Sequence, residues 1–221
     1  MKMADLSEYK ILIVDDTESN IDILVDILSD TWNLAVAMDG ESALKIVQKD
    51  LPALILLDIM MPGIDGYEVC KRLKMNESTR QIPIIFLTAM AKEQDEAKGL
   101  ALGAVDYVTK PFSPELVKSR VGNQLKLKHQ QDHLATLVRE RTQEVALTQE
   151  VTIDAMAVLA EYRDPETGGH IQRTKNYVRV LAEHLKTHPE YSGFLSHETI
   201  DLLYKSTPLH EIGKASCRER V

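Results

Sequence analysis

Residues 53–58 read Ala-Leu-Ile-Leu-Leu-Asp, an unbroken apolar run that ends in a carboxylate. Such a run is typical of a parallel strand whose two faces are both covered by helices. It places Asp58 at the carboxyl end of the strand, where open α/β sheets carry their chemistry. Residues 11–14 form a second apolar run, and Asp15 and Asp16 follow it directly. Three carboxylates at neighbouring strand ends repel one another unless a cation neutralises them, so the pattern predicts a divalent metal and phosphoryl chemistry.

The first half of the chain alternates strand and helix patterns. Stretches with apolar residues three and four positions apart separate the predicted strands, and prolines fall at the element boundaries. The predicted strands are Lys10–Val14, Leu34–Ala37, Ala53–Leu57, Ile82–Leu87 and Asp106–Val108. Five strands that alternate with helices predict an α/β fold, a doubly wound five-stranded parallel sheet with right-handed crossovers.

Charge and cysteine content exclude several classes of protein. The chain has 26 Lys and Arg against 34 Asp and Glu, a net charge of −8, and residues 1–120 contain 13 of the basic and 20 of the acidic residues. The acidic first half, and a second half without a basic stripe, argue against DNA binding. Two distant cysteines, Cys70 and Cys217, fit a reducing compartment. No stretch fits a signal peptide or a membrane span, so we expect a cytoplasmic protein with no membrane association.

A long helical pattern begins at Pro114. Gly122 is the one glycine or proline between it and Pro165, so the helix has few breaks. One row of seven-residue spacing comprises Val138, Val145, Thr152 and Leu159, and a weaker companion row comprises Leu127, Leu134, Arg141 and Thr148. The two rows predict a two-stranded coiled coil of modest quality, and hence a homodimer formed through this linker helix. A long single helix that packs on its own chain is the alternative.

The remaining residues predict a second domain. Residues 154–214 show helical periodicity interrupted by Pro and Gly, which predicts an all-α unit. One face of this pattern carries Tyr177, Val180, Leu181 and Leu185. The predicted domains are therefore 1–122, a helical or coiled-coil linker at 123–153, and the all-α unit at 154–221.

The acidic residues belong to a longer motif series. Asp15-Asp16, Asp58, Thr88-Ala89 and Lys110-Pro111-Phe112 each stand at a predicted strand end. This series resembles the receiver domain of two-component response regulators, over about residues 9–122. The resemblance implies a flavodoxin-like fold and a sensor histidine kinase as phosphodonor. It also implies that Thr88 and Tyr107 are switch residues that respond to phosphorylation.

Each residue of the series suits phosphoryl transfer. Asp58 is a nucleophile able to form an acyl phosphate. Asp15 and Asp16, together with Asp58, offer the oxygen ligands that Mg²⁺ prefers. Lys110 supplies a positive charge, and the Thr88 hydroxyl a hydrogen bond, to the phosphoryl oxygens. Taken singly, each has an ordinary alternative role, such as a helix cap for Asp15-Asp16 or a solvated charge for Lys110. Their coincidence on one sheet edge favours a phosphoacceptor site.

A second group of candidate ligands lies in the predicted all-α unit. Glu166 and His170 are four residues apart, so on a helix they face the same side, and His210 and Glu211 are adjacent. Imidazole nitrogen mixed with carboxylate oxygen suits Fe, Mn or Zn, and two such ions can clamp a phosphodiester displacement.

The segments around these ligands, residues 164–174 and 210–214, resemble the front part of the HD-GYP family. That family comprises metal-dependent phosphodiesterases that cleave cyclic di-GMP. The resemblance implies that Lys214 contacts a substrate phosphate. Glu211 stands where the family has Asp, and its downstream ligands and GYP segment do not occur among the 221 residues. We therefore expect little or no phosphodiesterase activity from this chain, and whether it is an enzyme stays open.

Three functions remain. The first is a response regulator whose phosphorylation at Asp58 controls an attached HD-GYP phosphodiesterase. The second is a signalling scaffold, made of a receiver and a coiled coil, whose second domain is inactive; metal retention by that domain separates the two. A hybrid histidine kinase phosphorylated on His170 is the third. It is disfavoured because no glycine-rich nucleotide-binding segment follows.

Overall fold

The computed structural model describes residues 9–89, 99, 101–162 and 169–210 of the chain. The chain divides into two compact units, residues 1–135 and 136–221. The predicted domain limits, at residues 122/123 and 153/154, remain predictions.

The first unit contains a five-stranded sheet. Its elements are β1 (Lys10–Val14), α1 (Glu18–Leu28), β2 (Asn33–Ala37), α2 (Gly40–Lys49), β3 (Leu54–Asp58), α3 (Gly66–Met75), β4 (Ile84–Thr88) and β5 (Asp106–Thr109). All pairings are parallel and the strand order is β2-β1-β3-β4-β5, which confirms the predicted doubly wound sheet. β1 has its predicted limits, and the other strands begin and end within two residues of theirs.

The sheet carries a separate apolar layer on each face. Side chains alternate along β3, so Leu54 and Leu56 pack on one face, with residues of α1 and the helix that begins at Pro114. Ile55 and Leu57 pack on the other face, with residues of α2 and α3. Every residue of β3 is buried for this reason, and the apolar sequence of the strand continues to Asp58.

The long helix α4 (Pro114–Tyr162) starts in the first unit and continues into the second, as a helix of 49 residues. Val117, Val121 and Leu125 of this helix are fully buried in the first layer. One turn further on, Nδ1 of His129 lies 3.0 Å from the hydroxyl of Tyr9. Packing of α4 on the first unit therefore extends beyond residue 122.

A close backbone approach shapes the loop after β3. The N–H of Gly66 donates to the carbonyl of Ile59 at 3.0 Å, and the side chain of Asp65 accepts from the N–H of Glu68 at 2.8 Å to cap α3. A Cβ on Gly66 would lie 2.1 Å from the carbonyl oxygen of Asp58. Only glycine fits at this position, because the obstructing atom belongs to the backbone.

The regular elements described in the second unit are all helices, the last two of them joined by turns at residues 186–196. It contains the end of α4, α5 (His170–Leu185) and α6 (His197–Ser206), around a small core of Ala182, Leu195 and Ile200. Tyr177, Val180 and Leu181, which share the predicted apolar face, are instead exposed. The opposite side of α5 is buried because it packs against α6.

The coiled-coil rows are also exposed. Leu134 is 62% exposed, Val145 55% and Leu159 70%, so the apolar residues of the two rows are not covered by the described chain. Among the described helices, none has both the length and the apolar content that a bilayer crossing requires. Cytoplasmic location remains a prediction.

Candidate phosphoacceptor and metal site

Three carboxylates meet at the carboxyl edge of the sheet. Val14 of β1 and Leu57 of β3 are paired in register, so the residues that follow them, Asp15 and Asp58, stand level with each other. One oxygen atom each from Asp15, Asp16 and Asp58 lies within 4.8 Å of the other two. Asp15 and Asp58 are buried, whereas Asp16 is exposed. Within the described ranges, these residues form the one group of three or more acidic, His or Cys side chains able to hold a metal ion.

Lys110 brings a positive charge into this cluster. Its Nζ lies 2.7 Å from Oδ2 of Asp15 and 3.1 Å from Oδ2 of Asp58. The residue follows β5, and its backbone N–H donates to the carbonyl of Thr88 at 2.8 Å. The peptide bond between Lys110 and Pro111 is cis. The ammonium group thus bridges two buried carboxylates from different strands.

The two carboxylate oxygens of Asp15 have different partners. Its Oδ1 accepts from the N–H of Thr17 at 3.0 Å and from Nδ2 of Asn20 at 2.9 Å. Its Oδ2 is buried and lies 2.7 Å from the ammonium nitrogen of Lys110, with which it forms an ion pair. A buried carboxylate oxygen of this kind, beside two further carboxylates, fits a hard cation such as Mg²⁺. The role of Asn20 was not predicted; its amide in the first turn of α1 was the available signal.

Burial controls the ionisation of Asp58. Desolvation raises the pKa of its carboxyl group, and the negative charge of Asp15 acts in the same direction. The hydrogen bond and charge of Lys110, and the backbone N–H of Met60, oppose that rise without cancelling it. For Lys110, burial acts to lower the pKa, but the bonds to Asp15 and Asp58 and their charges outweigh it and the pKa rises. The ionised cluster therefore carries an excess of negative charge that a bound cation would stabilise.

The predicted switch residues occupy the two adjacent strands. Thr88 ends β4, is buried, and lies beside Lys110 through the backbone bond described above. Tyr107 is half-buried on β5, and the guanidinium carbon of Arg120 lies 5.2 Å from its ring centroid. Arg120, on α4, also pairs with Asp106. This contact between β5 and α4 was not predicted, because a single basic residue on a helix gives no distinguishing signal.

Comparison with known proteins identifies the unit that carries this site. Residues 11–122 match the family model of the response regulator receiver domain. The chain belongs to this receiver family. Receivers typically bind Mg²⁺ at an acidic cluster of the kind formed by Asp15, Asp16 and Asp58.

Solved receivers show the same fold. A protein described as a response regulator from Chloroflexus aurantiacus is 36% identical, with a TM-score of 0.53, and the match covers 54% of this chain and 99% of that one. The chemotaxis protein CheY4 of Vibrio cholerae is 30% identical, with a TM-score of 0.51, over 53% of this chain and 98% of that one.

One curated relative extends along the whole chain. A protein of Vibrio cholerae described as a probable cyclic di-GMP phosphodiesterase is 44% identical over 228 aligned positions, which cover 100% of this chain and 52% of the relative. The response regulator PleD of Caulobacter vibrioides is 42% identical over 113 positions, 51% of this chain and 25% of PleD. The receiver chain thus spans about half the length, or less, of these relatives.

The candidate ligands of the second unit are described only in part. The ring centroids of His170 and His210 lie 5.7 Å apart. Nδ1 of His210 lies 2.6 Å from the carbonyl oxygen of Thr207; it donates there, because a carbonyl can only accept. In the neutral ring this leaves the lone pair on Nε2, the atom that a metal would bind. Glu166, Glu211 and Lys214 lie outside the described residues.

The raised pKa of Asp58 predicts that its charge destabilises the metal-free receiver. The pKa of Asp58 in the folded state lies above its value in the unfolded state, which is near 3.8, so the folded state binds the proton more tightly. The free energy of unfolding therefore falls as the pH rises between these two pKa values. We therefore expect Asp58→Asn to raise the thermal midpoint by a few degrees at pH 7 in the presence of a chelator. The gain should shrink as the pH approaches 4, and Mg²⁺ should stabilise the wild type more than the variant. A variant less stable than the wild type at pH 7 in chelator would contradict this prediction.

Proposed function

We propose that the receiver accepts a phosphoryl group on Asp58. The observation that carries this proposal is the Lys110 ammonium, held between the buried carboxylates of Asp15 and Asp58 at the sheet edge. A carboxylate oxygen of Asp58 attacks the phosphorus atom of the donor, and the donor's leaving group departs with the electrons of its bond to phosphorus. The product is an acyl phosphate on Asp58.

The surrounding side chains have separate tasks in this transfer. Lys110 leaves the Asp58 carboxylate and pairs with the oxygens of the incoming phosphoryl group, whose charge exceeds that of the carboxylate. The hydroxyl of Thr88, at the end of the adjacent strand, donates a hydrogen bond to one of those oxygens. Asp15 and Asp16 would hold Mg²⁺ beside Asp58. A bound Mg²⁺ neutralises the carboxylates and the transferring phosphoryl oxygens.

Intact mass tests the phosphoacceptor directly. After incubation with Mg²⁺ and acetyl phosphate, the wild type should gain the mass of one phosphoryl group and Asp58→Asn should gain none. Asp22→Asn, at an exposed position on α1, is the matched control and should be modified like the wild type. Lys110→Met should retain less of the modification, because the phosphoryl charge loses its partner. Equal mass gain in the wild type and Asp58→Asn would place the acceptor elsewhere.

We further propose that a sensor histidine kinase supplies the phosphoryl group and that the second unit begins an HD-GYP-type phosphodiesterase domain acting on cyclic di-GMP. The alignment of the whole of this chain with about half of the Vibrio cholerae relative supports this output, as does the close approach of His170 and His210. The alternative is a scaffold, consisting of receiver and coiled coil, whose second domain binds no metal.

Metal retention separates these two outputs. After incubation with Fe²⁺, Mn²⁺ or Zn²⁺ and desalting, elemental analysis should find metal beyond that of the receiver site. His170→Ala and His210→Ala should each lower this content, because each removes a nitrogen ligand. His184→Ala, in the last turn of α5, is the matched control and should leave the content unchanged. Metal content equal in all four proteins would favour the scaffold.

We also propose that α4 pairs with α4 of a second copy of the chain. The exposed rows of apolar residues at seven-residue spacing support this proposal, because such rows are typical of the seam of a two-stranded coiled coil. The Arg and Thr positions in the weaker row predict modest affinity.

Sedimentation velocity tests this pairing. Val145→Glu places a charge in the seam and should weaken dimerisation by about tenfold or more, as expected for a buried unpaired charge. Leu147→Glu is the matched control, because Leu147 is 63% exposed but lies outside both rows. The control should dimerise like the wild type. A monomeric wild type, or equal loss in both variants, would exclude the proposed seam.

A further inference from the structure

One charged side chain is buried in the described part of the second unit. Lys175 of α5 is 3% exposed, and its Nζ donates to Oδ1 of Asp154 at 2.9 Å. Asp154 lies near the end of α4, and about half of its side chain is exposed. A buried ammonium group is strongly destabilising without a partner, so Lys175 can occupy this position only while Asp154 stays within reach.

The ring of Tyr204 connects helix α6 to Lys175. Nζ of Lys175 lies 4.7 Å from the ring centroid of Tyr204 on α6, and the guanidinium carbon of Arg179 lies 3.7 Å from that centroid. Nε2 of Gln172 lies 3.4 Å from the hydroxyl of Tyr204. Cations over an aromatic face are attracted to its negative potential, and more strongly where water is excluded. The ends of α4, α5 and α6 are thus connected through Lys175.

Helix α5 also carries a candidate metal ligand. The helix begins at His170, and Oγ1 of Thr174 lies 3.5 Å from Nε2 of that histidine. Lys175 is the next residue along the helix. Any shift of α5 along or about its axis moves His170 with it, because the six residues from His170 to Lys175 form one short helical segment that is rigid on this scale.

We propose that the ion pair between Asp154 and Lys175 is the joint through which the linker helix fixes the position of α5. A change in the state of α4 then reaches His170 through this pair. The functional meaning of the joint, though not its existence, rests on the proposed control of the second unit by the receiver.

The second unit offers a contrasting ion pair. Asp201 of α6 lies 2.6 Å from Lys205 and 3.9 Å from Arg179, and all three side chains are about 40–50% exposed. Exposed pairs of this kind are screened by water and contribute little. None of the three residues belongs to α4, although the charge of Glu150 on that helix contributes to raising the pKa of Lys205. This group therefore links α5 to α6 with no ion pair to α4.

Hydrogen exchange followed by mass spectrometry on the full chain tests the joint. Without phosphodonor, Asp154→Asn should speed exchange of the amides of residues 170–185 by about tenfold, because an unpaired buried ammonium favours opening of α5. Asp201→Asn is the matched control and should stay within about twofold of the wild type. With Mg²⁺ and acetyl phosphate, exchange in α5 of the wild type should change, and this response should be lost in Asp154→Asn but retained in Asp201→Asn.

Further arms keep the outcome decisive. If Asp154→Asn unfolds the second unit, Asp154→Glu restores the charge and should recover both the slow exchange and the phosphorylation response. If the amides of α5 exchange equally fast in Asp154→Asn and in the wild type, the proposed joint is wrong. It is also wrong if acetyl phosphate changes the exchange of α5 as much in Asp154→Asn as in the wild type. Absence of phosphoryl uptake by the wild type would instead refute the proposed receiver function. The comparison without phosphodonor would still decide the joint.

Discussion

The ammonium group of Lys110 is the constraint around which the receiver is arranged. Two buried carboxylates from different strands face each other across the sheet edge, and the ammonium lies within 3.1 Å of both. Without that charge their burial would be prohibitive, because like charges in a poorly solvated site repel strongly. The parallel register of β1 and β3, and the backbone bond from Lys110 to Thr88, bring the three residues to one place. The sheet thereby holds Asp15, Asp58 and Lys110 together at its edge, where a further anion would change the balance of charge.

This arrangement lets Lys110 pair with Asp58 both before and after the phosphorylation that we propose. In the structure Lys110 compensates Asp15 and Asp58, and it lies close enough to meet a phosphoryl group bound to Asp58. On the neighbouring strand β5, the ring of Tyr107 contacts Arg120 on α4. The long helix is therefore in contact with the strand next to the site. That helix continues from the first unit to Tyr162.

The receiver could be predicted in detail because its signals are local. A strand buried on both faces is apolar throughout, so the end of the run at Asp58 marks the end of the strand. The same reasoning found β1 with its correct limits. The contacts of Asn20 and Arg120 depend on which residues meet in space, and periodicity carries no such information. On the predicted apolar face of α5, Leu185 packs against the small core, but Tyr177, Val180 and Leu181 are exposed. Lys175 is buried instead. Hydrophobic pattern alone would have excluded a lysine from that position.

The site also depends on Gly66, because there is no space for a side chain at that position. A hydrogen atom of Gly66 points at the carbonyl oxygen of Asp58, where no carbon atom can be accommodated. The residue offers no charge, no ligand and no nucleophile, so a search for chemistry would ignore it. In a saturation mutagenesis experiment it would nevertheless rank with Asp58, since every substitution must displace the backbone that carries the Asp58 carboxylate. The tolerance of the site to sequence change is thus limited by volume as well as by chemistry.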